Sequence, residues 1–354
     1  MTKEYKLLPL FEDFIRDTLK GRRLKPNGDR IKVQTVVNYQ QVLKLLQGYC
    51  QVRNIDLRVR IVNRRSQREM RVEMNYWKKF YRYFSSYLYH DRKCYDNYSG
   101  LVFKTIRSFF NYLKTDRLID FGDFHRQFYV KSEEIPVITL LPHQLRFLIQ
   151  DKEFEASLPK HLAETKDLFV FGCTVALRYS DLLNLRYRDI EHVNGVSYLS
   201  VKTIKTETPV RVKLPEYASD IILKRKGRKQ ASGHVFKKRA MMQINKNIRK
   251  LMELAGWTQL TGKRRKRDGV YQEVKSVKIE IGKGYRFCDL VSSHTMRRTA
   301  ITTMLILGMP EHVVRKISGH AADGKAFYRY VNFVQSYLDT EIDKVHSWMA
   351  SDKK

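Results

Sequence analysis

Residues 176–190 read ALRYSDLLNLRYRDI and place an arginine, Arg178, at the predicted start of a helix. Three more segments of the 354-residue chain carry similar polar side chains, namely VKTIKT at 201–206, HTMRRT at 294–299 and SGHAADGKAFYRYV at 318–331. In HTMRRT, His294 and Arg297 are three residues apart and therefore share one face of a helix. VKTIKT belongs to a stretch that alternates apolar and polar residues around a polar turn, which predicts a β-hairpin.

These side chains suit a reaction at a phosphodiester. Guanidinium groups bind non-bridging phosphate oxygens bidentately and stabilise the charge that develops in the transition state. Lysine or histidine can protonate a leaving alkoxide, and tyrosine can be the nucleophile of a covalent phosphoester. The sequence has no carboxylate cluster that suggests a magnesium site and no GxxxxGK[ST] loop that suggests nucleotide hydrolysis.

Over about residues 138–335, the chain resembles the tyrosine recombinases, or phage integrases. The resemblance lies in the order and separation of four segments that match the family's signature boxes: ALRYSDLLNL, HTMRRT, SGH and the following RYV. GRRLKPNGDR and TIRSFFNYL also resemble integrases of mobile elements in Bacteroidetes. The family resemblance implies a multidomain fold, with an all-α, SAM-like core-binding domain and a mixed α/β, mainly helical catalytic domain. It implies a site-specific recombinase that cleaves and rejoins DNA.

The resemblance also implies roles for individual residues. Arg178 matches the first catalytic arginine, and His294 and Arg297 match the HxxR box. His320 matches the histidine that donates a hydrogen bond to the scissile phosphate. In this mechanism no metal or nucleotide cofactor is needed.

The general acid and the nucleophile each have an alternative. Lys205 matches the strand lysine that protonates the 5′-oxygen, and Lys202 is the other candidate. Tyr330 matches the nucleophile of the 3′-phosphotyrosine intermediate, but its spacing from the preceding histidine is one residue longer than expected. Tyr328, one residue too close, is therefore the alternative.

Two positions depart from the usual family pattern. Ser318 precedes Gly319 where leucine is more common, and Arg298 follows the HxxR arginine where histidine is frequent. An added Gly324 can absorb the extra residue before the tyrosine.

The charge of the chain indicates a polyanionic partner. Lys and Arg number 68 against 37 Asp and Glu, a formal net charge of +31 that costs stability unless it has a use. Residues 1–130 and 131–354 are both basic, so both halves are expected to face double-stranded DNA. The resemblance implies a homotetramer, a dimer of dimers on paired sites, and accessory DNA-bending proteins are possible partners.

Two runs of basic residues are candidate phosphate contacts, with solvated loops as the alternative interpretation. The first run is formed by Lys224, Arg225, Lys226, Arg228 and Lys229, and the second by Lys263, Arg264, Arg265, Lys266 and Arg267.

The hydrophobic pattern predicts two domains. Residues 1–128 form a helical domain with helices over 7–20, after a capping Thr35, over 69–89 and over 98–115. Residues 129–138 form an extended linker, and 139–354 form the catalytic domain. In the hairpin of that domain, Val201 and Thr203 on one strand and Val210, Val212 and Leu214 on the other supply the alternating positions.

The last helix, predicted over 334–350, carries an apolar stripe of Leu338, Ile342, Val345 and Met349. This stripe either packs on its own domain or, as the resemblance suggests, docks on a neighbouring protomer.

Four scattered cysteines without a CxxC pair disfavour a zinc site and fit reduced thiols in a bacterial cytoplasm, where the protein would associate with the nucleoid. No apolar stretch suggests a signal peptide or a membrane helix. Two other functions remain open: relaxation of DNA by a type IB topoisomerase, and DNA-binding regulation without catalysis.

Overall fold

The computed structural model describes residues 3–63, 66–226, 233–274, 284–321, 324 and 327–350. The chain forms two compact units, Met1–Ile135 with Arg264–Val274, and Pro136–Lys263 with Lys275–Lys354. Both are mainly helical with small antiparallel sheets, which confirms the predicted fold class. In the described part of the chain, no helix is both long enough and apolar enough to span a membrane.

The first unit is a helical bundle. Its elements are β1 (Glu4–Lys6), α1 (Leu7–Leu19), α2 (Val33–Arg53), β2 (Arg58–Arg60), α3 (Gln67–Ser86), a π-helical turn (Tyr87–Asp91), α4 (Asp96–Thr115) and a 3-10 turn (Phe124–Gln127). The four predicted helices are confirmed to within a few residues, and β1 pairs with β2. The prediction that Thr35 caps α2 is wrong, because α2 begins at Val33 and no side chain caps it.

Aromatic side chains fill the core of this bundle. Trp77 is fully buried, stacks on Phe124 with ring centroids 4.6 Å apart, and donates from its indole nitrogen to Glu73 at 2.9 Å. Arg58 donates to the second oxygen of the same carboxylate at 2.8 Å. The buried charge of Glu73 is therefore paired and hydrogen-bonded, as burial requires.

A hairpin from late in the sequence completes the first unit. It consists of β6 (Arg264–Arg267) and β7 (Val270–Glu273), joined by Asp268 and Gly269, which both have positive φ, as in the tight turns that match strand twist. The amide of Gly269 donates to Asp96 at the start of α4 at 3.0 Å, and Lys131 pairs with Asp268. The first unit is thus assembled from two separate stretches of chain.

The segment predicted as the start of the linker lies on α4 and receives this hairpin. A Cβ on Gly100 would come within 2.0 Å of the carbonyl oxygen of Lys131, so only glycine allows the segment to cross the helix there. Asn97 exchanges two hydrogen bonds with the backbone of Glu133, at 2.9 and 3.1 Å. The Glu133 carboxylate is 1% exposed and pairs with Arg265 of the hairpin.

The second unit is built around α7 (Lys160–Val175), a helix that is apolar on most sides. Around it lie α5 (Pro142–Gln150), α6 (Lys152–Ser157), α8 (Tyr179–Asn184), α9 (Glu216–Lys226), α10 (Met241–Leu254), α11 (Phe287–Leu290), α12 (Ser293–Ile306), α13 (Glu311–Ser318) and α14 (Tyr328–Ala350). Helix α14 begins before the predicted residue 334 and packs on α12.

The sheet of the second unit contains β3 (Ile190–Val193), β4 (Val196–Lys202) and β5 (Pro209–Lys213) in that order. The predicted hairpin is confirmed as β4 and β5, with Val201 opposite Val210. Val210, Val212 and Leu214 are buried as the alternation predicts. Strand β3 had no clear signal in the sequence.

We expect Glu133→Gln to loosen the late hairpin, because it leaves the poorly exposed Arg265 without its counter-charge. Breaking such a pair costs about 3 kcal/mol, so the amides of residues 264–273 should exchange with deuterium roughly 100-fold faster. The control is Glu134→Gln at the exposed neighbouring position. Equal protection of the hairpin in both variants would contradict the assigned role of the ion pair.

Candidate active site

Arg297 is the most deeply buried of the predicted site residues. It lies on α12, is 2% exposed, and donates from Nη1 to the carbonyl oxygen of Ala176 at 2.9 Å. Ala176 ends α7 in the left-handed region, at φ 55°, which costs a non-glycine residue about 1 kcal/mol. The strained backbone directs its carbonyl at the guanidinium and holds Arg297 in place.

His320 follows the glycine that ends α13. Gly319 has φ 62°, which favours glycine, and turns the chain so that His320 meets Arg297. The Arg297 Nη2 atom is 3.1 Å from the nearer ring nitrogen of His320. Ser318 donates to the carbonyl of Val314 at 2.6 Å, and its oxygen is 2.8 Å from Nδ1 of His320. The imidazole is thus fixed from two sides.

Arg178 caps the N-terminal end of α8 with extended backbone. Its Nη1 atom is buried and has no hydrogen-bond partner among the described residues. Burying an unsatisfied guanidinium donor is costly, so this atom is a candidate donor to a bound ligand.

The turn that carries Lys205 is tied to the start of α8. The amide of Ile204 donates to Oδ1 of Asp181 at 2.9 Å. Within the turn, the amide of Thr208 donates to the buried hydroxyl of Thr203 at 3.1 Å. Lys205 is exposed on this braced turn, and Lys202 at the end of β4 lies 3.8 Å from Glu207.

The two candidate tyrosines, both on α14, differ sharply in exposure. Tyr330 is 5% exposed, and its ring centroid lies 6.0 Å from that of His320. Tyr328 is 54% exposed, and its ring lies 5.2 Å from the guanidinium of Arg315. Of the two, only Tyr330 reaches the rings and guanidinium groups at the centre of the site.

The site has a strong excess of positive charge. Burial lowers the pKa of Arg297 to about 10, and the charge of Arg178 adds to this effect. Burial also lowers the pKa of His320 to about 3, helped by the same two arginines. His294 keeps contact with solvent, yet desolvation, Arg298 and Arg297 lower its pKa to about 4. Both imidazoles are therefore neutral at pH 7.

This arrangement can bind a tetrahedral anion. The arginines supply charged donors, the neutral imidazole of His294 adds a donor that costs no extra charge, and Tyr330 supplies a hydroxyl at the edge of the cluster. Among the residues described, no group of three His, Cys, Asp or Glu side chains is placed to hold a metal ion.

The first basic run is partly used inside the second unit. Arg225 is 7% exposed, donates to the carbonyl of Glu164 at 2.8 Å and pairs with Asp167. Lys224 pairs with Glu155 at 2.6 Å, and against the effect of burial Lys166 and Lys224 together lower the pKa of Glu155 to about 2. These two cations therefore stabilise the fold. Lys226 is exposed, whereas Arg228 and Lys229 lie outside the described residues.

The second basic run forms β6, and its side chains alternate between two faces. Arg265 and Arg267 face the helical bundle of the first unit, where both guanidinium groups lie about 5 Å from the ring centroid of Tyr95. Arg264 is exposed, and Lys266 lies over Tyr271. Lys263, before the strand, lies over Tyr285. Two members of this run are thus occupied in holding the hairpin.

Some supporting residues had no functional signal in the sequence. Arg315 of α13 donates to the carbonyl of Ala321 at 3.2 Å and lies 4.2 Å from the ring of Phe327, so it ties the residue after His320 to the residue before α14. Asp181, which accepts a hydrogen bond from the amide of Ile204, is a second such residue. Its part in bracing the lysine turn depends on contacts across about 20 residues, which periodicity does not report.

The model of the phage integrase family matches residues 142–335 of this chain, more than half of its length. The chain therefore belongs to the phage integrase family. Among curated proteins, none has a sequence that matches this chain significantly.

Several solved structures share the fold at low sequence identity. A lambda integrase dimer bound to a COC′ core site matches with a TM-score of 0.57 and 13% identity, over 93% of this chain and 77% of the other. The XerH site-specific recombinase, bound to a palindromic difH substrate, matches with a TM-score of 0.57 and 12% identity, over 95% of both chains. The Tn1549 transposon integrase, in complex with circular intermediate DNA, gives 0.54 and 13%, over 92% and 94%.

We expect the pKa of His320 to rise in Arg297→Met, because this variant removes a cationic neighbour that disfavours the protonated ring. Arg297→Lys keeps a positive charge there and is the matched control. Titration of the imidazole by NMR in the DNA-free protein measures both. Identical titration of His320 in the two variants would show that burial alone causes the low pKa.

Proposed function

We propose that this chain is a site-specific DNA recombinase, an integrase that cleaves and rejoins double-stranded DNA through a 3′-phosphotyrosine intermediate. The observation that carries the proposal is the position of Tyr330, buried beside His320 and the guanidinium groups of Arg297 and Arg298. Membership of the phage integrase family supports the same reaction. The resemblance to mobile-element integrases leads us to place the enzyme on a mobile element.

In the proposed cleavage step, the Tyr330 oxygen forms a bond to the phosphorus and releases its proton to solvent. The bond from phosphorus to the 5′-oxygen breaks, and that oxygen takes a proton from Lys205. Arg178 and Arg297 bind the non-bridging oxygens, while His294 and His320 hydrogen-bond to the phosphate, His320 in the tautomer that carries its proton on Nε2. A 5′-hydroxyl of a partner strand then reverses the step. No metal takes part in this scheme.

DNA contacts outside the site are proposed for several cations of the two basic runs. They include Lys226, Lys263, Arg264 and Lys266, and the expectation for Arg228 and Lys229 is retained. Lys224, Arg225, Arg265 and Arg267 act on DNA binding indirectly, through the structure that they hold. Counterion release by the exposed group makes binding salt-dependent.

Assembly on paired DNA sites is proposed to use α14. Leu338, Ile342, Val345 and Met349 are between 38% and 70% exposed, so the stripe leaves apolar surface uncovered by its own unit. We propose that it docks on a neighbouring protomer within a tetramer. A monomeric topoisomerase has no need of such a surface, which favours the recombinase.

The first test is formation of a covalent protein–DNA adduct on nicked duplexes that carry the site. We expect Tyr330→Phe to abolish the adduct and to retain DNA binding, because only the nucleophilic oxygen is lost. Tyr328→Phe is the matched control and should form the adduct. The reverse result would transfer the role to Tyr328, and an adduct in both variants would remove both residues from the reaction.

The second test concerns the apolar stripe. The double variant Ile342→Glu, Val345→Glu should bind a single DNA site normally but lose cooperative assembly on paired sites, since charges replace the docking surface. The control is Asp343→Asn on the same helix. Native gel electrophoresis with one and two sites separates the two steps, and intact cooperativity would overturn the docking proposal.

A further inference from the structure

Arg298 is a third arginine of the site, with a position that the HxxR pattern does not explain. It follows Arg297 on α12 and projects about 100° further round the helix. The helix that it faces is α14, which packs on α12 and carries Tyr330. The Arg298 side chain is close enough to Tyr330 for the tyrosine oxygen to raise the pKa of its guanidinium.

The surroundings of Arg298 are those of a functional cation. Its Nε atom is buried and has no hydrogen-bond partner in the described part of the chain. Burial lowers the pKa of its guanidinium, whereas the nearby Tyr330 oxygen raises it. The neighbouring charge of Arg329 is also cationic, and among the described residues no carboxylate pairs with Arg298. A structural arginine would be expected to have such a partner.

We propose that Arg298 is a catalytic residue that holds the Tyr330 hydroxyl and stabilises the negative charge that forms on its oxygen during attack. This inference rests on the proposed function, with Tyr330 as the nucleophile. As the oxygen bonds to phosphorus, its proton passes to solvent, and Arg298 keeps its own protons throughout. A preorganised donor at the nucleophile is worth most in a site from which water is excluded.

The family position usually holds a histidine, and the choice of arginine follows from the local charge. An imidazole so close to Arg297 and Arg329 would be neutral at pH 7, as the lowered pKa values of His294 and His320 indicate. A guanidinium keeps a full positive charge beside other cations, because its pKa starts far above neutrality.

The test is single-turnover cleavage by the full-length protein at saturating DNA, with two substrates. One substrate has the natural 5′-oxygen leaving group, and the other has a bridging 5′-sulfur, which departs without a proton. We expect Arg298→Gln to cleave both about 10- to 100-fold more slowly, since a donor to the nucleophile is lost. Lys205→Ala should be slow on oxygen and recover on sulfur.

Two further variants keep the result interpretable. Arg298→Lys retains the charge and should recover part of the lost rate, whether or not Arg298→Gln folds stably. Arg146→Gln on α5 removes a distant exposed charge and should cleave at the normal rate. Denaturant unfolding of each variant identifies any loss of rate that comes from instability.

The opposing outcomes are distinct. Cleavage by Arg298→Gln at the normal rate would overturn the inference, as would a defect confined to DNA affinity or one that sulfur rescues. If Tyr330→Phe still formed the adduct, the proposed nucleophile would fail first. Loss of cleavage in Tyr330→Phe with normal cleavage in Arg298→Gln would reject only the role of Arg298.

Discussion

The buried guanidinium of Arg297 is the interaction on which the geometry of the site depends. One of its nitrogens donates a hydrogen bond to the carbonyl oxygen of Ala176, and the other lies 3.1 Å from a ring nitrogen of His320. Through these contacts a single side chain joins the end of α7, the middle of α12 and the loop after α13. The left-handed backbone of Ala176 shows that the fold accepts local strain to keep this arrangement.

The spacing of apolar residues predicted the helices of the first unit well, because these helices bury a regular apolar stripe. The span 98–115 corresponds to Asp96–Thr115, and the β4–β5 hairpin followed from alternation at Val210 and Val212. The late hairpin could not be predicted in this way. Its strand, RRKR, has the composition of a solvated loop, and it is held by Glu133 and Asp96, more than 130 positions earlier.

The candidate site shows the same division. Motif spacing identified the residue types of the site but did not decide whether Tyr328 or Tyr330 is the nucleophile. A change of one residue in loop length brings one or the other to the expected distance from His320. Burial, a property of the packed structure, is what favours Tyr330. Both departures from the family pattern lie at the site: Ser318 contacts His320, and Arg298 reaches the favoured tyrosine.

The discontinuous first unit has a consequence for synthesis of the protein on the ribosome. Residues up to Ile135 emerge early, but their partner hairpin is translated roughly 130 positions later, a delay on the order of ten seconds at ordinary elongation rates. During that interval the Glu133 carboxylate and the α4 surface around Asp96 lack their contacts with Arg265 and Gly269 of the hairpin. The N-terminal bundle therefore reaches its final form only after most of the second unit has been made, and vectorial folding cannot complete the domains in their order along the chain.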